Sequence, residues 1–215
     1  MKSFLIIGMG SFGRHLCRCL AQRKCDLMIV DRHEERLEDL LPYVVSAKVG
    51  ECTNIEVLRS FGVPEFDACF VCIGGKFQES LEITSLLREL GAKKIYSKAE
   101  QDLQAKFLLR VGADEVIYPE LDAAERIAIS ESNDNIFNCI DLTEEHKIFE
   151  IRTRKQWVGK SIRELSFRSR FNLSILAIKN GEELNVLPSP DYVFQKDDHP
   201  LVLGHIRDIE RVVQD

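Results

Sequence analysis

FLIIGMGSFG, residues 4–13, decides the fold of this chain: an apolar, β-branched run leads straight into three glycines spaced G-x-G-x-x-G, followed by an amphipathic segment from Ser11 to Arg23. A strand, a tight turn and a helix in that order form the phosphate-binding element of a Rossmann unit. Gly8 permits the turn, Gly10 lets a pyrophosphate approach bare backbone, and Gly13 lets helix and strand pack closely. Ser11 and Phe12, between them, open the helix whose amides and dipole attract phosphate. Asp31 ends the next apolar run, DLMIV, 18 residues beyond Gly13. A carboxylate there accepts hydrogen bonds from both ribose hydroxyls of an adenosine and repels a 2′-phosphate, whereas neighbouring Arg32 would welcome one.

Outward from this motif, β-rich runs alternate with amphipathic segments. Glu34–Leu41 reads as helix, VVSAKV as strand, Asn54–Phe61 as helix and DACFVCI as strand; Gln78–Leu90, KKIYSK, Asp102–Val111 and EVIYP continue the pattern. Six strands alternating with helices predict an α/β fold, a Rossmann-type doubly wound parallel sheet. After a further helix over Asp122–Ser132, the polar cluster SNDN marks a hinge. The expected domains are therefore residues 1–132 and 133–215. The second is a smaller α+β domain, with strands at Ile148–Arg152, LSILAIKNG, Leu184–Leu187 and PLVLG, and helices at Ser161–Phe167 and Ile206–Val213.

Composition narrows the function. A net charge of −6 and a pI near 5.5 repel nucleic acid. No apolar run approaches the ~20 residues that cross a bilayer, so a cytoplasmic protein is expected. Seven cysteines, mostly within apolar segments, read as buried reduced thiols. Cys69 and Cys72 form a C-x-x-C, but strand alternation sends their side chains to opposite faces. None of the five histidines forms an acid–base motif with a carboxylate or lysine, and neither a nucleophile elbow nor a P-loop lysine is present. The pattern points to binding without catalysis, against the alternative of an NAD-dependent oxidoreductase, which the glycine motif and Asp31 would serve equally.

GMGSFG, the strand-ending Asp31, VGECTN, CIGGKFQESL, YSKAE and GADEVIYPE together resemble the RCK domain, and more closely the Ktr/Trk cytosolic regulatory subunits of potassium-uptake systems. GKSIRELSFRSRFNLSILAIKNG and LPSPDYVFQKDDHPLVLG extend the resemblance through the C-terminal RCK subdomain, so it covers essentially the whole chain. It implies a homo-oligomer, with dimers assembling into an octameric ring, seated on the cytoplasmic face of a membrane potassium-translocating subunit. Ligand identity would set the ring's shape, ATP activating and ADP inactivating, with NAD or NADH as further ligands.

By matched positions, the resemblance implies that Gly8, Gly10 and Gly13 cradle phosphates and Asp31 holds ribose. Cys52 and Thr53 lie near adenine, Gly74 and Lys76 line the cleft mouth, and Lys98 enters from the fifth strand. Glu120 matches a glutamate that helps bind a divalent cation, Mg2+ or Ca2+, beside the phosphates; alone it reads as a helix N-terminal carboxylate. One departure is Ser11, where Ktr subunits often carry an arginine that reaches a terminal phosphate; Arg14, one helical turn along, is the residue placed to compensate. Ile162, Arg168, Ile175 and Pro190 match positions that in some Ktr subunits receive cyclic di-AMP between two copies of the domain. The bland reading, a surface arginine over an isoleucine dimer core, stands beside it.

Overall fold

Alternation within β1 (Ser3–Ile7) builds the N-terminal unit: Leu5 and Ile7 enter one apolar cluster and Ile6 the opposite one. A computed structural model describes residues 1–143 and 145–214. Its packing divides the chain into two units, Met1–Asp122 and Ala123–Asp215. β2 (Asp26–Asp31), β3 (Ser46–Val49), β4 (Ala68–Val71), β5 (Ile95–Lys98) and β6 (Glu115–Ile117) join β1 in a parallel sheet of order β3-β2-β1-β4-β5-β6. This is the strand order of a dinucleotide-binding fold, whose switch point falls between β1 and β4.

Helix α1 (Ser11–Ala21) covers the face holding Ile6, Leu27, Ile29 and Cys72. On the other face, α2 (Ile55–Ser60) and α3 (Phe77–Glu89) bury Leu58, Ile83 and Leu87 against Leu5, Cys69 and Val71. Cys69 and Cys72 thus belong to opposite faces, as alternation requires, and all seven cysteines are free. Burial pushes both thiols up to about 12, with Lys98 partly opposing the effect at Cys72. α4 (Asp102–Val111) packs Ala105 and Leu108 beside β6.

One local expectation is corrected, and the packing division differs from the expected hinge. The helix expected at Glu34–Leu41 is two 3-10 turns, Glu34–Arg36 and Glu38–Tyr43, because Pro42 cannot continue an α-helical hydrogen-bond ladder. The division at 122/123 falls earlier than the hinge at Asn133. Helix α5 (Pro119–Ser132) explains the difference, since its Ile129 packs against the apolar cluster of the second unit.

In the second unit, β7 (Ile136–Asp141), β8 (His146–Ile151), β9 (Ser174–Asn180), β10 (Glu183–Val186) and β11 (Asp198–His205) form an antiparallel sheet of order β10-β9-β11-β8-β7. β7 has no counterpart among the expected strands. A bulge between Ile136 and Asn138 spaces its buried residues, Ile136 and Cys139, three apart and erases the period of two. The expected helix at Ser161–Phe167 is two short ones, α6 (Ile162–Leu165) and α7 (Phe167–Phe171), broken at Ser166 with φ +48°. Ser161 and Glu164 form a reciprocal capping box at the start of α6. Trp157, Phe167 and Phe194 pack with α8 (Ile206–Gln214) into this unit's core. Buried Asp198 is fully engaged, accepting from the Gln195 amide at 2.7 Å and from the Tyr192 hydroxyl and Asn180 amide at 2.9 Å. Burial, reinforced by Asp198, pushes the Tyr192 hydroxyl up to about 12.

Candidate functional site

Each glycine of the opening motif meets a different physical demand. Gly8 turns at φ +93°, its amide donating to the Val30 carbonyl at 2.8 Å. A Cβ on Gly13 would lie 2.1 Å from the Gly8 carbonyl oxygen, so only glycine allows α1 to sit this close to the turn. Gly10 is the cap of α1 and has open space within 4 Å. The backbone is therefore bare where a phosphate would approach.

A cleft of about 530 Å³ opens here, at the carboxyl ends of β1, β2, β4 and β5. Its size suits a nucleotide-class ligand. Gly8, Gly10, Ser11, Phe12, Asp31, Arg32, Cys52, Gly74, Lys76 and Lys98 line it. Two expected residues lie outside its wall. Gly13 acts through packing, and Thr53 turns its hydroxyl to Glu51 at 3.2 Å in a neighbouring depression. Buried Cys52 has its thiol pushed up to about 12 by desolvation, with Glu51 and Asp31 adding to the effect.

Asp31 is buried and accepts the Met9 amide at 2.7 Å and the His33 amide at 3.0 Å. Burial raises its carboxyl, but those amides, the His33 ring and Arg36 outweigh burial and hold it below the usual carboxylate range. It therefore stands ionised at the tip of β2, as a ribose acceptor must.

The histidines depart from expectation. His33 lies 3.2 Å from Asp31, His199 3.2 Å from Glu150, and His205 3.8 Å from Glu145. The last two pairs join residues far apart in the chain, beyond the reach of a motif search.

At the start of α1, Ser11 occupies the first helical position, since Gly10 takes the cap. Arg14 lines the cleft, but its guanidinium is spent on Asp39 at 2.5 Å and the Arg36 carbonyl at 3.0 Å. Compensation for Ser11 by Arg14 would have to draw this guanidinium from Asp39 toward the cleft. Lys98 is a half-buried cation of the cleft, its ammonium 2.5 Å from the exposed Glu120 carboxylate. The Lys98 hydrogen bond holds that carboxylate below its ordinary range despite some desolvation. Glu120 is thus a lone carboxylate already paired with a cation, and no group of three His, Cys, Asp or Glu side chains among the described residues could hold a metal.

In the second unit, Ile162, Arg168, Ile175 and Pro190 come together around an open groove of about 540 Å³. Pro190 is tied to α6 by the Arg163 amide at 2.8 Å. Arg168 is exposed, and no carboxylate among the described residues pairs with it.

Residues 4–119 match the TrkA-N domain and residues 148–214 the TrkA-C domain. The chain belongs to the RCK-domain Ktr/Trk family. It is 34% identical to Ktr system potassium uptake protein C of Bacillus subtilis, covering 98% of this chain and 95% of that one, and equally to Ktr system potassium uptake protein A of that organism. The GsuK channel bound to NAD shares the fold, with a TM-score of 0.69 at 19% identity over 96% of this chain and 38% of that one. The TrkA-N domain of inner membrane protein ybaL from Escherichia coli aligns with 60% of this chain and 95% of its own at a TM-score of 0.54 and 21% identity. The RCK chain thus corresponds to less than half of the channel chain. No described helix is long and apolar enough to cross a membrane.

Proposed function

We propose that this RCK chain is a nucleotide-sensing regulatory subunit that gates a membrane potassium-translocating protein from its cytoplasmic side. The carrying observation is the cleft, where open backbone at Gly10, an ionised Asp31 and the Lys98 ammonium converge. The pyrophosphate lies on the amides at the start of α1, the ribose on Asp31 and the adenine toward Cys52. The names of the Ktr relatives support potassium uptake as the process, and the NAD-bound GsuK channel supports a dinucleotide as a further occupant.

Gating requires a ligand that prefers one conformation. Moving a two-state population from 1:99 to 99:1 takes about 5.5 kcal/mol, which a ring of eight sites assembles from less than about 1 kcal/mol each when all subunits move together. Lys98 supplies such a difference. A terminal phosphate competes with Glu120 for its ammonium, so ATP and ADP leave Glu120, at the start of α5, with different partners. A divalent cation at Glu120 would depend on oxygens from the nucleotide and from a second copy. ATP accordingly favours the conducting state and ADP the closed one. Potassium flux into vesicles carrying the chain with its membrane subunit tests this, and equal flux with either nucleotide refutes it.

One observation favours an oxidoreductase, the pairing of His33 with Asp31 in the cleft. That pair stands at the tip of β2, where ribose is read, rather than beyond the glycine loop where a nicotinamide would extend. Binding of NADH without its oxidation by added electron acceptors supports the sensor. In the second unit, the groove at Arg168 takes cyclic di-AMP, the planar guanidinium pairing with phosphate or stacking on a base. Absence of cyclic di-AMP binding in an equilibrium assay leaves Arg168 as a surface residue above an apolar dimer contact.

A further inference from the structure

Arg32 follows the ribose-reading Asp31, the place from which an arginine accommodates a 2′-phosphate in NADP-binding Rossmann folds. Here that guanidinium is already committed. It hydrogen-bonds Glu79, in the first turn of α3, and lies 3.4 Å from Glu51, in the loop after β3. Glu79 also accepts from Lys76 at 2.9 Å. The other guanidinium beside the ribose position, Arg36, is 3.6 Å from Asp31, and the His33 ring is 3.2 Å from the same carboxylate. Both guanidinium groups thus face a carboxylate, and Arg32 faces two.

We infer that Glu79 is a specificity-determining residue of the nucleotide cleft: by holding Arg32 against α3, it keeps the ribose end open to a 2′-hydroxyl and closed to a 2′-phosphate. The inference rests on the reading that the cleft holds an adenosine nucleotide with its ribose at Asp31. A 2′-phosphate adds a charge of about −1.5 to −2. It would enter a corner containing Asp31, Glu51 and Glu79, where the Arg32 guanidinium is held through its Nη2 by both glutamates and must turn from them to meet the phosphate with its full fork. Charge-assisted Arg–carboxylate bonds are among the stronger polar contacts, so the exchange gains little for the phosphate and costs Glu51 and Glu79 the guanidinium they share. Glu79 reaches Arg32 from 47 positions along the chain, carried there by α3. Lys76, sharing the same carboxylate, fixes the Glu79 rotamer from the loop that precedes α3.

The test is a ratio, measured by calorimetry on the full chain with ADP and with its 2′-phosphorylated counterpart. Wild type is expected to bind the 2′-phosphorylated ligand at least about a hundredfold more weakly than ADP. Glu79→Gln keeps the size of the side chain, removes its charge and releases Arg32; it is expected to narrow that ratio by about tenfold, the worth of one charge-assisted bond. Glu51→Gln, at the longer contact, should narrow it less. Adding Arg32→Gln to Glu79→Gln should restore the wide ratio. An unchanged ratio in Glu79→Gln, or a narrowing that survives loss of Arg32, overturns the inference while leaving the cleft a nucleotide site. A wild-type chain that binds no ADP overturns the cleft reading itself, and this inference with it.

Discussion

Replacing Gly10 and Gly13 in turn by alanine should separate binding from folding within one motif. The Cβ of Gly13→Ala would stand 2.1 Å from the Gly8 oxygen, 3.2 Å from the Gly8 carbonyl carbon and 3.3 Å from the Cys72 Cβ. The backbone oxygen has little room to retreat, because the Gly8 amide is bonded to Val30 at 2.8 Å and its φ is +93°. Helix α1 must therefore move by about 1 Å. Overpacking costs about 1–3 kcal/mol, and a backbone obstacle places this case near the top of that range. For a unit of this size, the melting temperature should fall by about 10 °C. Gly10→Ala meets no atom within 4 Å, and its φ of −70° suits any residue. It loses only about 0.5–1 kcal/mol through poorer capping. On the open side, however, the new methyl occupies the space where phosphate reaches bare backbone, and ADP affinity should drop about tenfold or more. Thermal unfolding and calorimetric titration of both variants give the four numbers needed. Wild-type affinity in Gly10→Ala refutes the phosphate assignment, and a wild-type melting temperature in Gly13→Ala refutes the packing argument.

Ser11→Arg should tighten ATP more than ADP, by about tenfold, because it places a cation at the start of α1 where Arg14 is diverted to Asp39; calorimetry showing equal gains for the two nucleotides counts against it. Asp31 has a folded-state pKa below its ordinary value of 3.8, so it contributes stability above that pH which is lost as pH falls through 3.8 toward the lower folded value. The acid limb of the unfolding curve should flatten in Asp31→Asn, and an unchanged acid limb would contradict this account. Asp198→Ala should destabilise the second unit by about 2–4 kcal/mol by stranding the Tyr192 hydroxyl and the Gln195 amide, whereas Asp198→Asn retains an acceptor and should cost about half as much. Chemical denaturation monitored at Trp157 reads both variants.

Much of the N-terminal architecture was legible because its signals are local. GMGSFG, the apolar runs and the strand-ending Asp31 each specify their neighbours within a few residues, and the strand count and doubly wound class followed. β7 escaped because its bulge destroys the alternation that marks a strand. The 3-10 turns around Pro42 escaped because apolar spacing alone does not distinguish them from α-helix. The groove in the second unit was reached only through resemblance, since Ile162, Arg168, Ile175 and Pro190 come from separate elements that no spacing rule connects.

The sequence by itself determined that this chain carries a parallel sheet of the Rossmann kind, that Gly8, Gly10 and Gly13 form the turn between β1 and α1, and that Asp31 ends β2. Local backbone sterics and side-chain periodicity suffice for these features. Only the tertiary structure decided how the charges are spent: Arg14 on Asp39, Arg32 on Glu79, Lys98 on Glu120 and His33 on Asp31. Charged side chains carry no periodic signature, and most of these partners are brought together across loops and helices by the packing of the apolar residues beneath them. The electrostatic character of the cleft is therefore a property of the folded unit.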